Sequence, residues 1–161
     1  MLTLDEINAK YFDVLKEIGN IGAGNATTAI ANMLSLRMDM MVPNVGFMPV
    51  EELGTAIGAE DDIIVGIMLG VEMDIEGSMM FLLDMNSAHK IINRLMMRDD
   101  DYNEPFDEMD LSAIKEVGNI IAGSYLSALS SLTHLVISPT VPFVAVDMAA
   151  AIFSVPAVPF G

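Results

Sequence analysis

The chain has 161 residues, 53 % of them apolar, and carries 23 acidic side chains against seven basic ones, a formal charge of −16. That is a single-domain length with ample material for a core, and its apolar content lies well outside the disordered range. The acid excess excludes nucleic acid and anionic membrane surfaces as partners, since both require clustered Lys and Arg, while the absence of cysteine excludes disulfides, thiolate metal sites and thiol nucleophiles.

The N-terminus has no basic region followed by an apolar one, so no signal peptide is expected and the cytoplasm is the default location. Thr3 and Glu6 have the spacing of a capping box. Ile7, Tyr11, Val14, Ile18 and Ile21 then recur at helical intervals, and the helix is expected to run through 26–34. It must do so across Gly19, Gly22 and Gly24, each costing about 1 kcal/mol relative to Ala. Close approach of another helix or of a docking partner is the expected compensation. Strands are predicted at Leu36–Val42 and Val45–Val50, and a hairpin at Asp62–Leu69 and Ile75–Asp84 around Gly70–Asp74. Asn86 or Ser87 should cap a helix whose stripe is Ala88, Ile91, Ile92, Leu95 and Met96. An acidic connector, Asp99–Asp110, precedes a second long helix from Asp110–Ser112 to Thr133. Short strands near Leu135–Ile137 and Val141–Val146 and a helix over Asp147–Phe153 complete an α+β order with an antiparallel sheet. The uncharged stretches Ile18–Leu36 and Val117–Val146 contain Asn, Gly and Ser or Thr, which favours buried helices over membrane insertion. The fifteen methionines read mainly as core filler.

The chain repeats itself. Lys16-Glu-Ile-Gly-Asn-Ile-Gly-Ala-Gly-Asn25 returns 99 residues later as Lys115-Glu-Val-Gly-Asn-Ile-Ile-Ala-Gly-Ser124, identical at seven of ten positions. Asp13 and Ser112 stand four residues before their Glu, and Pro43 and Pro142 stand 23 residues after their Asn. A period near 100 residues indicates an internally duplicated fold, not a solenoid. Glu17 and Asn20, like Glu116 and Asn119, are spaced i and i+3 and so share a helix face away from the apolar stripe. A single copy would read as solvated surface; preservation of the same types at the same spacing argues for a site. Neither copy brings His, Cys or a matching Ser, so no nucleophile–base pair is available. An Asn amide can accept from one water hydrogen and donate to a nearby oxygen, which suits it to aligning a water with a phosphorus or carbonyl centre. A Glu can pair with a cation on a docked partner.

Other motifs carry less. Gly22–Thr27 lacks the third glycine of a dinucleotide fingerprint and follows a helix, and Asn25 stands where a phosphate-binding loop needs Lys. Ser112 and Lys115 match Ser-x-x-Lys without its companion elements. Asp99, Asp101, Asn103 and Asp110 mimic a calcium loop, but Glu104 replaces the required Gly. His89 and His134 supply no ligand pattern.

The pattern Asp/Ser-x3-Glu-x2-Asn-x22-Pro resembles the signature of the CheC/CheX/FliY chemotaxis phosphatases. It is carried by Asp13, Glu17, Asn20 and Pro43, and again by Ser112, Glu116, Asn119 and Pro142. The resemblance spans the chain up to Phe153. It implies an internally duplicated α+β fold, mainly antiparallel sheet, with the two motif helices side by side on one surface. The chain is then one domain of two pseudo-symmetric halves, about 1–98 and 108–161. CheC chains usually continue with further strands and a C-terminal helix, so the second half is expected to be truncated and to leave an open sheet edge. The implied activity is hydrolysis of the aspartyl phosphate on CheY, the chemotaxis response regulator. Asn20 and Asn119 would orient the attacking water, and Glu17 and Glu116 would contact the regulator's Lys. Mg²⁺ would be carried by CheY, with no cofactor of the phosphatase's own. Gly19 and Gly118 are expected to let the partner's backbone come close. CheD, a receptor glutamine deamidase, is a further partner implied by the resemblance. The alternative is a non-catalytic adaptor that binds CheD or a flagellar-switch component through the same surface.

Overall fold

A computed structural model describes residues 4–37 and 61–154. Thr3, Pro43 and the strands expected at Leu36–Val42 and Val45–Val50 lie outside the described residues, except Leu36 and Arg37, which are not in a strand, while Glu6 falls within the first helix. That helix, α1, spans Leu4–Leu34. Ser35 closes it in the left-handed region (φ 52°), and Leu36 N–H donates to Ala31 O at 3.0 Å.

The sheet is built around β1, Ile63–Met73, and β2, Gly77–Asp84, which form an antiparallel hairpin in register from Ile64–Asp84 to Val71–Gly77. Helix α2, Met85–Leu95, follows at once. Its cap is Asp84, whose carboxylate accepts from Ser87 N–H at 2.9 Å and from the Ser87 hydroxyl at 2.7 Å. These bonds hold the Asp84 carboxyl below its ordinary pKa, the hydroxyl contributing most. The cap thus lies two or three residues before the expected Asn86 or Ser87, because an ionised carboxylate is the stronger acceptor. Helix α3, Glu108–Thr133, begins two residues before expectation, with Asp107 as N-cap and Asp110 completing a capping box.

Strands β3, Ile137–Pro139, and β4, Phe143–Met148, both pair antiparallel with the edge of β1 opposite β2. Between the Val71–Pro139 and Met68–Phe143 pairs, two residues of β1 face three of the other chain segment. The segment is one strand interrupted by a bulge at Thr140–Pro142. Thr140 fixes it: its N–H donates to Gly70 O at 2.9 Å, and its hydroxyl accepts from Gly70 N–H at 2.8 Å. Gly70, expected in the hairpin turn, is instead in the strand interior, because the Thr140 side chain occupies the space beside it. The actual turn is Asp74–Glu76. Asp74 also ties down the approach to β3, accepting from Val136 N–H at 2.8 Å and donating its own N–H to Val136 O at 3.0 Å. Helix α4, Ala149–Ser154, ends the described chain, and Asp147 belongs to β4 and not to this helix.

Strand β1 is buried from Val65 to Val71. Val65 and Ile67 pack with Ala88, Ile92 and Ile114, while Leu69 and Val71 pack with Ala122 and Leu126, so this face carries α2 and α3. The opposite face carries α4, where a Cβ on Gly66 would fall 2.8 Å from Ile152. Helix α1 lies on α3 through Ala26, Val117 and Ile121. At Gly22 a Cβ would meet the Tyr125 ring at 2.5 Å, so here another helix is the close neighbour. Burial pushes the Tyr125 phenol above its ordinary pKa. Later residues of α1 thus meet earlier residues of α3, and the helices run antiparallel. Gly22 corresponds to Ile121 in the repeat, and Ala26 to Tyr125. The two contacts exchange under the 99-residue shift, as a two-fold relation between these helices requires. Among the described residues, the outer edges of β2 and of β3–β4 have no partner strand, and no helix is long and apolar enough to cross a membrane.

Candidate functional site

The second signature sits on α3, and two periodicities on that helix define it. Ile114, Val117, Gly118, Ile121 and Ala122 are buried at i, i+3, i+4, i+7 and i+8 and face the core. Ser112, Lys115, Glu116 and Asn119, also at i, i+3, i+4 and i+7, are exposed on the other side. The helix start is locked by a buried knot. Asp110, 1 % exposed, accepts from Asp107 N–H at 3.2 Å while its own N–H donates to Asp107 Oδ1 at 2.9 Å. Arg98 Nη1 stands 2.8 Å from Asp110 Oδ1, and the guanidinium lies over the Tyr102 ring at 4.8 Å. Hydrogen bonding to Asp110 raises the Arg98 pKa above its ordinary value. The acidic connector is therefore anchored, and Asp110 belongs to a cap and an ion pair, which accounts for it without a calcium loop. Among the described residues no group of His, Asp and Glu is placed to hold a metal ion.

The polar face of α3 opens into a groove of about 510 Å³. Ser112, Glu116 and Asn119 line one wall, joined by Lys115, and the bulge Thr140–Pro142 forms the other. All four members of the second signature therefore meet in one place, although Pro142 is 23 residues from Asn119. Pro142 suits that bulge because it has no N–H to donate to a ladder. Glu116 and Asn119 are exposed, and their side chains make no hydrogen bond or ion pair among the described residues. Met109, 63 % exposed, lies at the groove, so this methionine is surface and not core filler.

In the first signature, Asp13 and Glu17 are exposed and Asn20 is half-buried on α1. The Asn20 Oδ1 atom is shielded from solvent and finds no hydrogen-bond donor among the described residues. Pro43 lies outside the described residues, so the equivalence of the two sites rests on α1 alone. Gly118 corrects an expectation. It is buried, and a Cβ there would overlap Ile67 Cγ2. Its small size serves the approach of α3 to β1, not that of a partner. Gly19 is half-buried. His89 is buried with its ring 4.3 Å from Phe106, a packing position, and His134 closes α3 in the left-handed region.

Sequence reasoning missed Lys115, Met109 and the wall residues Thr140 and Val141. Lys115 was recoverable, since it stands inside the repeat at the spacing of the signature face. The wall was not, because it depends on pairing between Thr140 and Gly70, 70 residues apart.

The fold is that of chemotaxis proteins with a mixed helix and antiparallel-sheet architecture. The structure of Thermotoga maritima FliY superposes with a TM-score of 0.75 at 25 % identity, covering 99 % of this chain and 75 % of that one. CheX in the CheX–CheY–BeF₃–Mg²⁺ complex from Borrelia burgdorferi matches with a TM-score of 0.55 and 24 % identity, over 76 % of this chain and 72 % of that one. The model of the CheC-like family matches twice, at residues 13–46 and 109–146. The chain is also 39 % identical to the CheY-P phosphatase CheC of Bacillus subtilis (strain 168), over 96 % of this chain and 75 % of that protein. It belongs to the CheC-like family.

Proposed function

We propose that this protein hydrolyses the aspartyl phosphate of the chemotaxis response regulator CheY, using two sites supplied by the two halves of a duplicated fold. The observation that carries the reading is the convergence of Ser112, Glu116, Asn119 and Pro142 on one open groove, together with the 39 % identity to a CheY-P phosphatase. Asn119, exposed on the groove, accepts a hydrogen from the attacking water through its amide oxygen and donates its NH₂ to a phosphoryl oxygen; Asn20, whose Oδ1 is shielded from solvent, does the same in the first half once its side chain turns outward on docking. The water oxygen bonds to phosphorus as the aspartyl C–O–P linkage breaks, leaving inorganic phosphate and a free carboxylate. Glu116 and Glu17 meet a lysine of the regulator, and Mg²⁺ arrives bound to the regulator. The chain's own contribution is positioning, which can supply much of the acceleration in phosphoryl transfer.

The test follows CheY-phosphate decay with wild type, Asn20→Ala, Asn119→Ala and the double variant. Each single variant should retain the turnover of its intact site. The double variant should lose on the order of 100-fold, as expected on removing groups that act only in the transition state. Decay left unchanged by wild-type protein that nevertheless binds CheY would replace this reading with the adaptor.

A further inference from the structure

We infer that Lys115, with Lys16 as its counterpart in the first half, is a further member of the site: a cation that receives an anionic group of the docked phospho-regulator. The inference rests on the proposed docking of CheY and names a contact beyond the Glu and Asn of the signature.

Three observations converge on it. The chain has only seven basic residues, and two of them occupy the same position in the repeat, immediately before Glu17 and Glu116. In a protein of charge −16, scattered surface lysines have no reason to coincide in this way. Next, 112, 115, 116 and 119 form one helical stripe, so Lys115 belongs to the same face as the signature residues, and it lines the same groove. Finally, Lys115 has no work to do within the fold. Its ammonium makes no ion pair or hydrogen bond among the described residues, and its i±3 and i±4 neighbours are Leu111, Ser112, Gly118 and Asn119, none of them acidic. A lysine kept for helix stability would have an acidic neighbour there, as Lys16 has in Asp13 at i−3, so this third observation belongs to Lys115 alone.

The chemistry follows from the surroundings. A phosphorylated receiver presents anionic oxygens, and an acidic phosphatase repels them at long range. A flexible ammonium in the groove offsets that repulsion locally and provides up to three donors. At a solvated site such a contact acts mainly on encounter and ground-state binding, and it weakens with salt.

The experiment uses the full chain carrying Asn20→Ala, so that turnover reports the second half, with Lys115→Gln and Lys115→Arg added separately. Turnover is measured with phosphorylated CheY, and binding with CheY loaded with BeF₃⁻ and Mg²⁺, at about 50 and about 200 mM salt. Lys115→Gln should raise both KM and Kd about 3- to 10-fold at low salt, with the gap narrowing at high salt and the loss falling in KM, not kcat. Lys115→Arg should restore most of the binding. A Lys115→Gln protein that binds like its parent at both salts overturns the inference, as does an equal loss in the Gln and Arg variants. Repeating the binding with unloaded CheY separates the anions: an effect confined to the loaded form assigns the phosphoryl group, and an equal effect assigns a carboxylate. Turnover that survives Asn119→Ala in this background overturns the role given to the amides instead, and the Kd comparison still decides Lys115.

Discussion

Asp110 is almost wholly buried, and its carboxyl oxygens serve two partners. It caps the first turn of α3 and holds Arg98 at 2.8 Å, so it ties the connector to the helix that carries the second signature. Removing Asp110 leaves the capped N–H of Asp107 and the partly exposed Arg98 without their acceptor together. Asp110→Ala should therefore destabilise the protein by about 1–2 kcal/mol. Asp110→Asn, which keeps an acceptor but not the charge, should lose less. Urea unfolding checks both; an unshifted midpoint for the Ala variant would mean that the knot merely accompanies the helix start. Asn93 plays a related part from α2. It is fully buried and donates its amide to Tyr102 O at 2.8 Å, so the connector is held from two helices.

At the scale of elements, the glycines of the two motif helices look alike in sequence and differ in structure. Gly118 has Ile67 of the central strand against it, and neither a buried β-branched side chain nor a paired strand can withdraw. Gly118→Ala should cost about 1–3 kcal/mol. Gly24 has open space where a Cβ would stand, so Gly24→Ala should stabilise by about 0.5–1 kcal/mol through helix propensity and a less free unfolded chain. Thermal unfolding of the two variants should move in opposite directions; a shared sign would refute the packing assignment. The contrast also marks what a sequence can disclose. Periodicity and capping chemistry located α2 and α3 to within about two residues, and the 112–119 stripe was visible as a face before any neighbour was known. The side on which Gly118 meets its neighbour was not, since nothing local to the repeat names Ile67. Pro139 and Gly70 likewise look like breakers and turned out to lie in paired strands, because the bulge and the Thr140 clamp are made by tertiary partners. The groove wall inherits that same obscurity.

For the whole molecule, charge outweighs every other surface property, and it acts on folding and on docking in opposite senses. Twenty-three acidic groups face seven basic ones, and the ion pairs among the described residues all involve Arg98. Most carboxylates therefore repel one another across the surface with no cation to offset them, which destabilises the compact state relative to the expanded chain. The Debye length falls from about 30 Å at 0.01 M salt to about 8 Å at 0.15 M, so mutual repulsion between distant carboxylates is largely removed over that range. Stability should rise by on the order of 1 kcal/mol, or about 2–4 °C in Tm for a chain of this size. Calorimetry in a non-binding salt such as NaCl measures it. The same screening should weaken the contact at Lys115, so Tm and CheY affinity in the second-half background should move apart as salt increases. A Tm that falls with salt would show that attractive surface pairs outweigh the repulsion between carboxylates.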